Sequence, residues 1–146
     1  MNVATKNSEE DAARILIAED SEDNRLLLRV YLKNAPYTLT FVEDGERALQ
    51  MARSHSFDLI LMDLQMPVMD GLTSTRLIRE AEREEGRERV PVVALTANVS
   101  TKDVEASLAA GCNCHVSKPV SKSKLLRVIE DHTRHPEPSL LADRLW

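Results

Sequence analysis

The stretch Leu59-Ile60-Leu61-Met62-Asp63-Leu64-Gln65-Met66-Pro67 decides how this chain is read. Consecutive apolar side chains predict a strand covered on both faces, and the run ends in a single carboxylate. An unpaired carboxylate is too costly to leave inside a core, so Asp63 belongs at the strand's carboxyl end. That is the edge at which open α/β sheets bind their ligands. Pro67 then interrupts the backbone, and Met69-Asp70-Gly71 turns it into a helix.

The pattern recurs along the chain. Ile15-Leu16-Ile17-Ala18 ends in Glu19-Asp20, Val92-Val93-Ala94-Leu95 ends in Thr96-Ala97, and Val116-Ser117 runs into Lys118-Pro119. Strands are expected near 14–19, 38–43, 58–62, 91–96 and 115–117, with helices near 22–35, 45–54, 71–85, 100–110 and 121–133. Strict alternation predicts one doubly wound, five-stranded parallel sheet with helices on both faces. Segment 38–43 mixes Thr38, Thr40 and Glu43 with Leu39, Phe41 and Val42, which suits a sheet edge. Three carboxylates, a hydroxyl and an ammonium thus converge on the carboxyl edge of one sheet.

This set resembles a response-regulator receiver domain, the phosphoacceptor half of two-component signalling. The matching residues are Glu19-Asp20, Asp63 with Met66-Pro67-Val68-Met69-Asp70-Gly71, Thr96-Ala97 and Lys118-Pro119, in the family's order and near its spacings. The resemblance spans residues 14–133; 1–13 read as a polar extension and 134–146 as a tail or linker. It implies the flavodoxin-like strand order 2-1-3-4-5. It also implies that Asp63 accepts a phosphoryl group from a phosphohistidine. Mg²⁺ is implied on Asp20, Asp63 and the backbone carbonyl of Gln65, with Glu19 acting through a water. Lys118 and Thr96 are implied to bind phosphoryl oxygens, with Ala97 leaving room beside them.

Some residues sharpen that resemblance and others depart from it. Glu19 stands where the family often has Asp, and His115 where it usually has the Tyr or Phe that moves with the threonine, so Thr96 and His115 are the candidate switch. Gln65 and Asn98 flank the phosphoryl site; neither is a base, but both can orient water. Along helix 22–35, Asn24, Leu27, Leu28, Tyr31 and Leu32 share one face, while Leu26 and Val30 lie opposite. In receivers this helix docks the partner, so a histidine kinase or histidine phosphotransfer domain is expected near Leu26 and Val30. Ser21-Glu22-Asp23-Asn24-Arg25 and Val93-Ala94-Leu95-Thr96-Ala97-Asn98 are most like receivers of hybrid histidine kinases; a stand-alone relay protein is the alternative.

The chemistry of the residues agrees independently. Phosphoryl transfer needs a nucleophile, cationic groups and little covalent machinery. An ionised Asp63 needs no base to activate it, although carboxylate nucleophiles are weak unless well placed. Three clustered carboxylates repel an incoming anion unless a hard cation joins them, and Mg²⁺ is the natural one. A haloacid-dehalogenase-like phosphohydrolase also uses a strand-end Asp with Mg²⁺. It usually carries a second Asp two residues on, where this chain has Gln65, and no Gly-Thr follows. A flavin-binding or degenerate module of the same architecture would not need the complete acid, threonine and lysine set. The reading is therefore a signalling domain, not an enzyme, beyond its own phosphorylation and dephosphorylation.

Composition narrows the partners. A net charge of −5 and an aromatic content of 3% offer neither a basic patch nor stacking platforms for nucleic acid. No apolar run reaches membrane-span length and no signal peptide is visible, so a cytoplasmic location with no membrane contact is expected. Cys112 and Cys114 lack companions for a zinc set and read as reduced structural thiols. The charged run from Arg79 to Arg89 reads as a solvated helix end and loop.

Overall fold

The structure is a computed structural model and describes residues 12–97 and 100–133. The proposed extension up to residue 11, the tail from 134 and Asn98 lie outside the described residues. The elements alternate without exception: β1 (Ala13–Ala18), α1 (Glu22–Tyr31), β2 (Tyr37–Val42), α2 (Gly45–Ser54), β3 (Leu59–Asp63), α3 (Gly71–Glu85), β4 (Val92–Thr96), α4 (Thr101–Ala110), β5 (Cys114–Ser117) and α5 (Lys122–Thr133). All strand pairs are parallel, in the order β2-β1-β3-β4-β5, so the mixed strand 37–42 is indeed an edge.

Residue alternation along each strand divides the core in two. Ile15, Ile17, Leu59, Leu61, Val93, Leu95 and Val116 pack with Leu28 and Leu32 of α1 and Leu125 and Ile129 of α5. Leu16, Ala18, Ile60, Met62, Val92 and Ala94 face the other way, toward Ala48 of α2 and Ile78 of α3. Strands β3 and β4 are buried along their whole length, as continuous apolar runs require.

Local chemistry fixes the helix starts. Ser21, Asp44, Asp70 and Ser100 each accept a backbone N–H three residues on with the side chain. Ser21, not Asp20, caps α1, which leaves the Asp20 carboxylate outside that role. Helix α1 stops at Tyr31 instead of continuing to 35, because beyond the Leu32 cap the Lys33 and Ala35 N–H groups turn onto the Val30 and Leu32 carbonyls in tighter bonds. Gly86 and Gly111 close α3 and α4 in the left-handed conformation that glycine tolerates.

The charged run from Arg79 to Arg89 is not simply solvated. Arg79 is 5% exposed: its guanidinium donates to the Gly111 carbonyl, at 2.8 Å from Nη2, and pairs with Glu82 at 2.9 Å. It also donates to Asn113 Oδ1, which in turn accepts the Val92 N–H. Arg87 donates to the carbonyls of Ala52, Arg53 and His55, closing the open end of α2 from a distant loop. Charge patterning could not find these bonds, because their acceptors are backbone carbonyls far away in sequence. The two cysteines separate as well: Cys112 belongs to the α2/α3 half of the core and Cys114 packs against the other. Burial pushes both thiols up, Cys114 to about 11, as inert structural thiols require.

Truncating a buried, multiply bonded arginine strands its partners. Arg79→Ala should lower stability by roughly 2–4 kcal/mol, read as a lower urea midpoint with unchanged slope. A midpoint equal to that of the wild type would show the network to be dispensable.

Candidate phosphoacceptor site

The carboxyl ends of β1, β3, β4 and β5 come together as the strand pattern predicted. Asp63 continues the inward alternation of Leu59 and Leu61, so its side chain turns to the α1/α5 side and is almost fully buried. Glu19, directly after β1, follows Ile15 and Ile17 to the same side and is 1% exposed. Lys118 bridges the two: its Nζ lies 3.1 Å from Asp63 Oδ2 and 3.0 Å from Glu19 Oε1. The Lys118-Pro119 peptide is cis. Carboxylate oxygens of Glu19, Asp20 and Asp63 lie within 4.8 Å of one another, the one such cluster of potential metal ligands among the described residues.

The bonds at Asp63 explain its electrostatics. Burial raises its pKa, the Gln65 N–H at 3.1 Å lowers it, the Glu19 charge raises it and Lys118 lowers it. The balance stands at about 6, well above an ordinary aspartate. Glu19 goes the other way. Burial pushes it up, but the Ser21 N–H and the Lys118 ammonium outweigh that and hold it below the usual glutamate range. Lys118 loses by burial and gains more from its two carboxylate bonds, so it holds its proton more tightly than a free lysine. An anionic cluster in which one carboxylate resists ionisation fits a divalent cation, and its hard oxygen donors suit Mg²⁺.

The remaining predicted residues divide by face. Thr96 is buried at the end of β4, paired in register with Ser117, and alternation sends it to the α3 side with Ala94. His115 pairs with Ala94 and alternates with inward-facing Val116, so it shares the Thr96 face on the neighbouring strand and is half-buried. Ala97 is exposed and lines a groove of about 310 Å³ with Lys118, Glu19, Asn24 and Leu27. Exposed Asp20 and Gln65 line a second cleft of about 670 Å³ with Met66, Pro67, Asp70 and Arg76. Leu26 and Val30 are 60% and 57% exposed, as their helix face predicted. Leu27 was assigned to the core stripe and is instead 38% exposed, because Leu28 and Leu32 suffice to fill the contact.

Sequence reading missed Val68. Its φ of 69° places a β-branched residue in the left-handed region, and the Met69 N–H donates back to the Pro67 carbonyl at 2.7 Å. Such a turn is strained by about 1–3 kcal/mol, and its surroundings hold it. Gly45 N–H grips the Met69 carbonyl, and Gly71 packs so closely on Asp63's backbone that a Cβ there would collide.

Comparison with known proteins agrees with this geometry. The profile of the response regulator receiver domain matches residues 15–130. The chain belongs to that family. This receiver is 35% identical over 131 residues to the sensor protein GacS of Pseudomonas syringae pv. syringae, covering 87% of the chain but 14% of that protein. The chain thus spans about a seventh of that relative's length. It is 37% identical to the receiver domain of the Pseudomonas aeruginosa sensor histidine kinase PA1611, a structure with a magnesium ion in its active-site cleft. That likeness has a TM-score of 0.75 and covers 84% of this chain and 98% of that one. It also resembles a chain in the Saccharomyces cerevisiae complex of the histidine phosphotransfer protein Ypd1 with the Ssk1 receiver, at 30% identity and TM-score 0.80, covering 84% of this chain and 89% of that one. The receiver therefore has the family's five-stranded 2-1-3-4-5 sheet and an acidic cluster suited to Mg²⁺. No helix among its described residues is long and apolar enough to cross a membrane.

The raised Asp63 pKa carries a sign. An unfolded aspartate ionises near pH ~3.9, so between there and about 6 the native state binds more protons. Stability from this group is full below that window and falls as pH rises through it. Asp63→Asn should therefore melt higher than wild type at pH 7.5, by roughly 5 °C, and no higher at pH 4. An equal or opposite difference at the two values would contradict a raised pKa.

Proposed function

We propose that this receiver accepts a phosphoryl group from a phosphohistidine onto Asp63 and works as a switch in a phosphorelay. The observation that carries the reading is the Asp63 carboxylate, fixed at a strand end 3.1 Å from the Lys118 ammonium, with Asp20 and Glu19 close by. An Asp63 oxygen attacks the phosphorus as the P–N bond breaks, and the imidazole nitrogen keeps the electron pair. With the donor's other ring nitrogen protonated before transfer, the products are an aspartyl phosphate and a neutral histidine. Asp20, Asp63 and the Gln65 carbonyl would hold Mg²⁺, with Glu19 beyond a water, and the ion supplies the positive charge that lets an anion enter this cluster.

This chain's own groups do the rest. Lys118 swings from a carboxylate oxygen to a phosphoryl oxygen, keeping its charge beside the transferred group. Thr96 donates its hydroxyl to another phosphoryl oxygen, and Ala97 leaves only a methyl group beside it. His115, on the same sheet face as Thr96, follows that movement toward the exposed side of the domain. The chemistry is self-catalysed, and the domain turns over no separate substrate. The partner is a histidine kinase or a histidine phosphotransfer domain that seats on Leu26 and Val30, the exposed apolar side chains of α1. The setting is cytoplasmic, in a hybrid-kinase type of relay.

Labelling tests both halves of this reading. Acetyl phosphate should phosphorylate the wild type only with Mg²⁺, and neither EDTA-treated protein nor Asp63→Asn should take label. The pair Leu26→Asp with Val30→Asp should slow transfer from a phosphorylated histidine phosphotransfer protein by about tenfold or more, while acetyl phosphate labelling stays unchanged. Undiminished labelling of Asp63→Asn would overturn the acceptor, and equal slowing with both donors would overturn the docking surface.

A further inference from the structure

Glu19 is one methylene longer than the aspartate common at its position, and the structure gives that length a use. One carboxylate oxygen, Oε1, has the Lys118 ammonium at 3.0 Å. The other, Oε2, accepts the Ser21 N–H at 3.1 Å and the Asn24 side-chain amide at 3.4 Å. The backbone around it is tied on both sides. Glu19 N–H donates to the Val42 carbonyl at 3.0 Å, and the Arg25 guanidinium donates to the Glu19 carbonyl at 2.8 Å. The carboxylate therefore spans from the first turn of α1 to the lysine. An aspartate would give up one of those two ends.

A lysine ammonium on a flexible stem is a poorly directed charge unless something holds it. Lys118 is held from two directions, by Asp63 at 3.1 Å and by Glu19. Once Asp63 has become an aspartyl phosphate its carboxyl group no longer carries a charge, whereas Glu19 keeps its own and still holds the lysine. We propose, resting on the receiver reading above, that Glu19 is a positioning residue for Lys118, and that Asn24 acts through Glu19 to keep the lysine beside the phosphoacceptor. Asn24 lines the same groove as Leu27, Ala97 and Lys118. Helix α1 thereby contributes to the site's geometry as well as to the proposed docking face.

The full 146-residue chain, labelled with ¹³C at lysine, tests this by NMR relaxation of the Lys118 ε-methylene at fixed pH, together with acetyl phosphate kinetics and Mg²⁺ calorimetry. In Glu19→Gln and in Asn24→Ala, the Lys118 ε-methylene should be less ordered than in wild type. Asn24→Ala should label Asp63 about tenfold more slowly with its Mg²⁺ affinity unchanged. In a Glu19→Asp background, Asn24→Ala should add no further slowing, because the bracket is already broken. Equal slowing in both backgrounds, a Lys118 ε-methylene as ordered as in wild type, or Mg²⁺ affinity falling in step with the rate would each overturn the proposal. The variants lie on different elements, so failure of one to fold leaves the other to decide. If wild-type Asp63 takes no label, the receiver reading fails, while the ordering of Lys118 still decides the bracket.

Discussion

Three carboxylates share the carboxyl edge of this sheet with one ammonium, and two of the three are buried. Burial first, and the Glu19 charge after it, raise the Asp63 pKa to about 6, while the Ser21 N–H and the Lys118 ammonium hold Glu19 low. The fold tolerates this because its strands leave the charges no alternative. β1 and β3 lie in register from Ile15 with Leu59 to Ala18 with Met62, so their next residues, Glu19 and Asp63, emerge side by side. The site is a consequence of strand register and of the period of two, which send both side chains to the α1/α5 face.

Around that edge the loops are built to resist relaxation. Gly45 and Gly71 let the β3–α3 loop press onto Asp63's backbone, and Ser74 donates to the Gly45 carbonyl at 2.8 Å to tie α3 to the start of α2. Val68 keeps its strained backbone within that clamp. At the far pole of the sheet, Arg79 and Arg87 bind loops and helix ends through backbone carbonyls. The unfavourable charge cluster and the arginine networks thus occupy opposite ends of the same strands. The arginine networks tie down one pole, and the acidic cluster suited to Mg²⁺ lies at the other.

Much of this was legible in the sequence, for physical reasons. Buried parallel strands must be continuously apolar, so β1, β3 and β4 announced themselves, and the first polar residue after each marked the site. Four helix starts expected at 22, 45, 71 and 100 fall within one residue of the observed ones, where Ser21, Asp44, Asp70 and Ser100 cap them. What stayed hidden depends on partners distant along the chain. Arg79 looks like any charged helix residue until Gly111 and Asn113 are folded against it. Leu27 fits the apolar stripe by angle, yet the groove beside Lys118 leaves it half-exposed. The link from Glu19 to Lys118 pairs residues from opposite ends of the domain, and no local pattern encodes it.

The central claim is that electrostatic crowding at Asp63 is what a bound cation relieves. Calorimetric titration of Mg²⁺ into the wild-type chain, repeated in buffers of different protonation enthalpy, measures the protons released on binding. With Asp63 at about 6, binding at pH 6 should release about half a proton per ion, and binding at pH 8 should release none. Proton release that is absent at pH 6, or equal at the two pH values, would contradict the account.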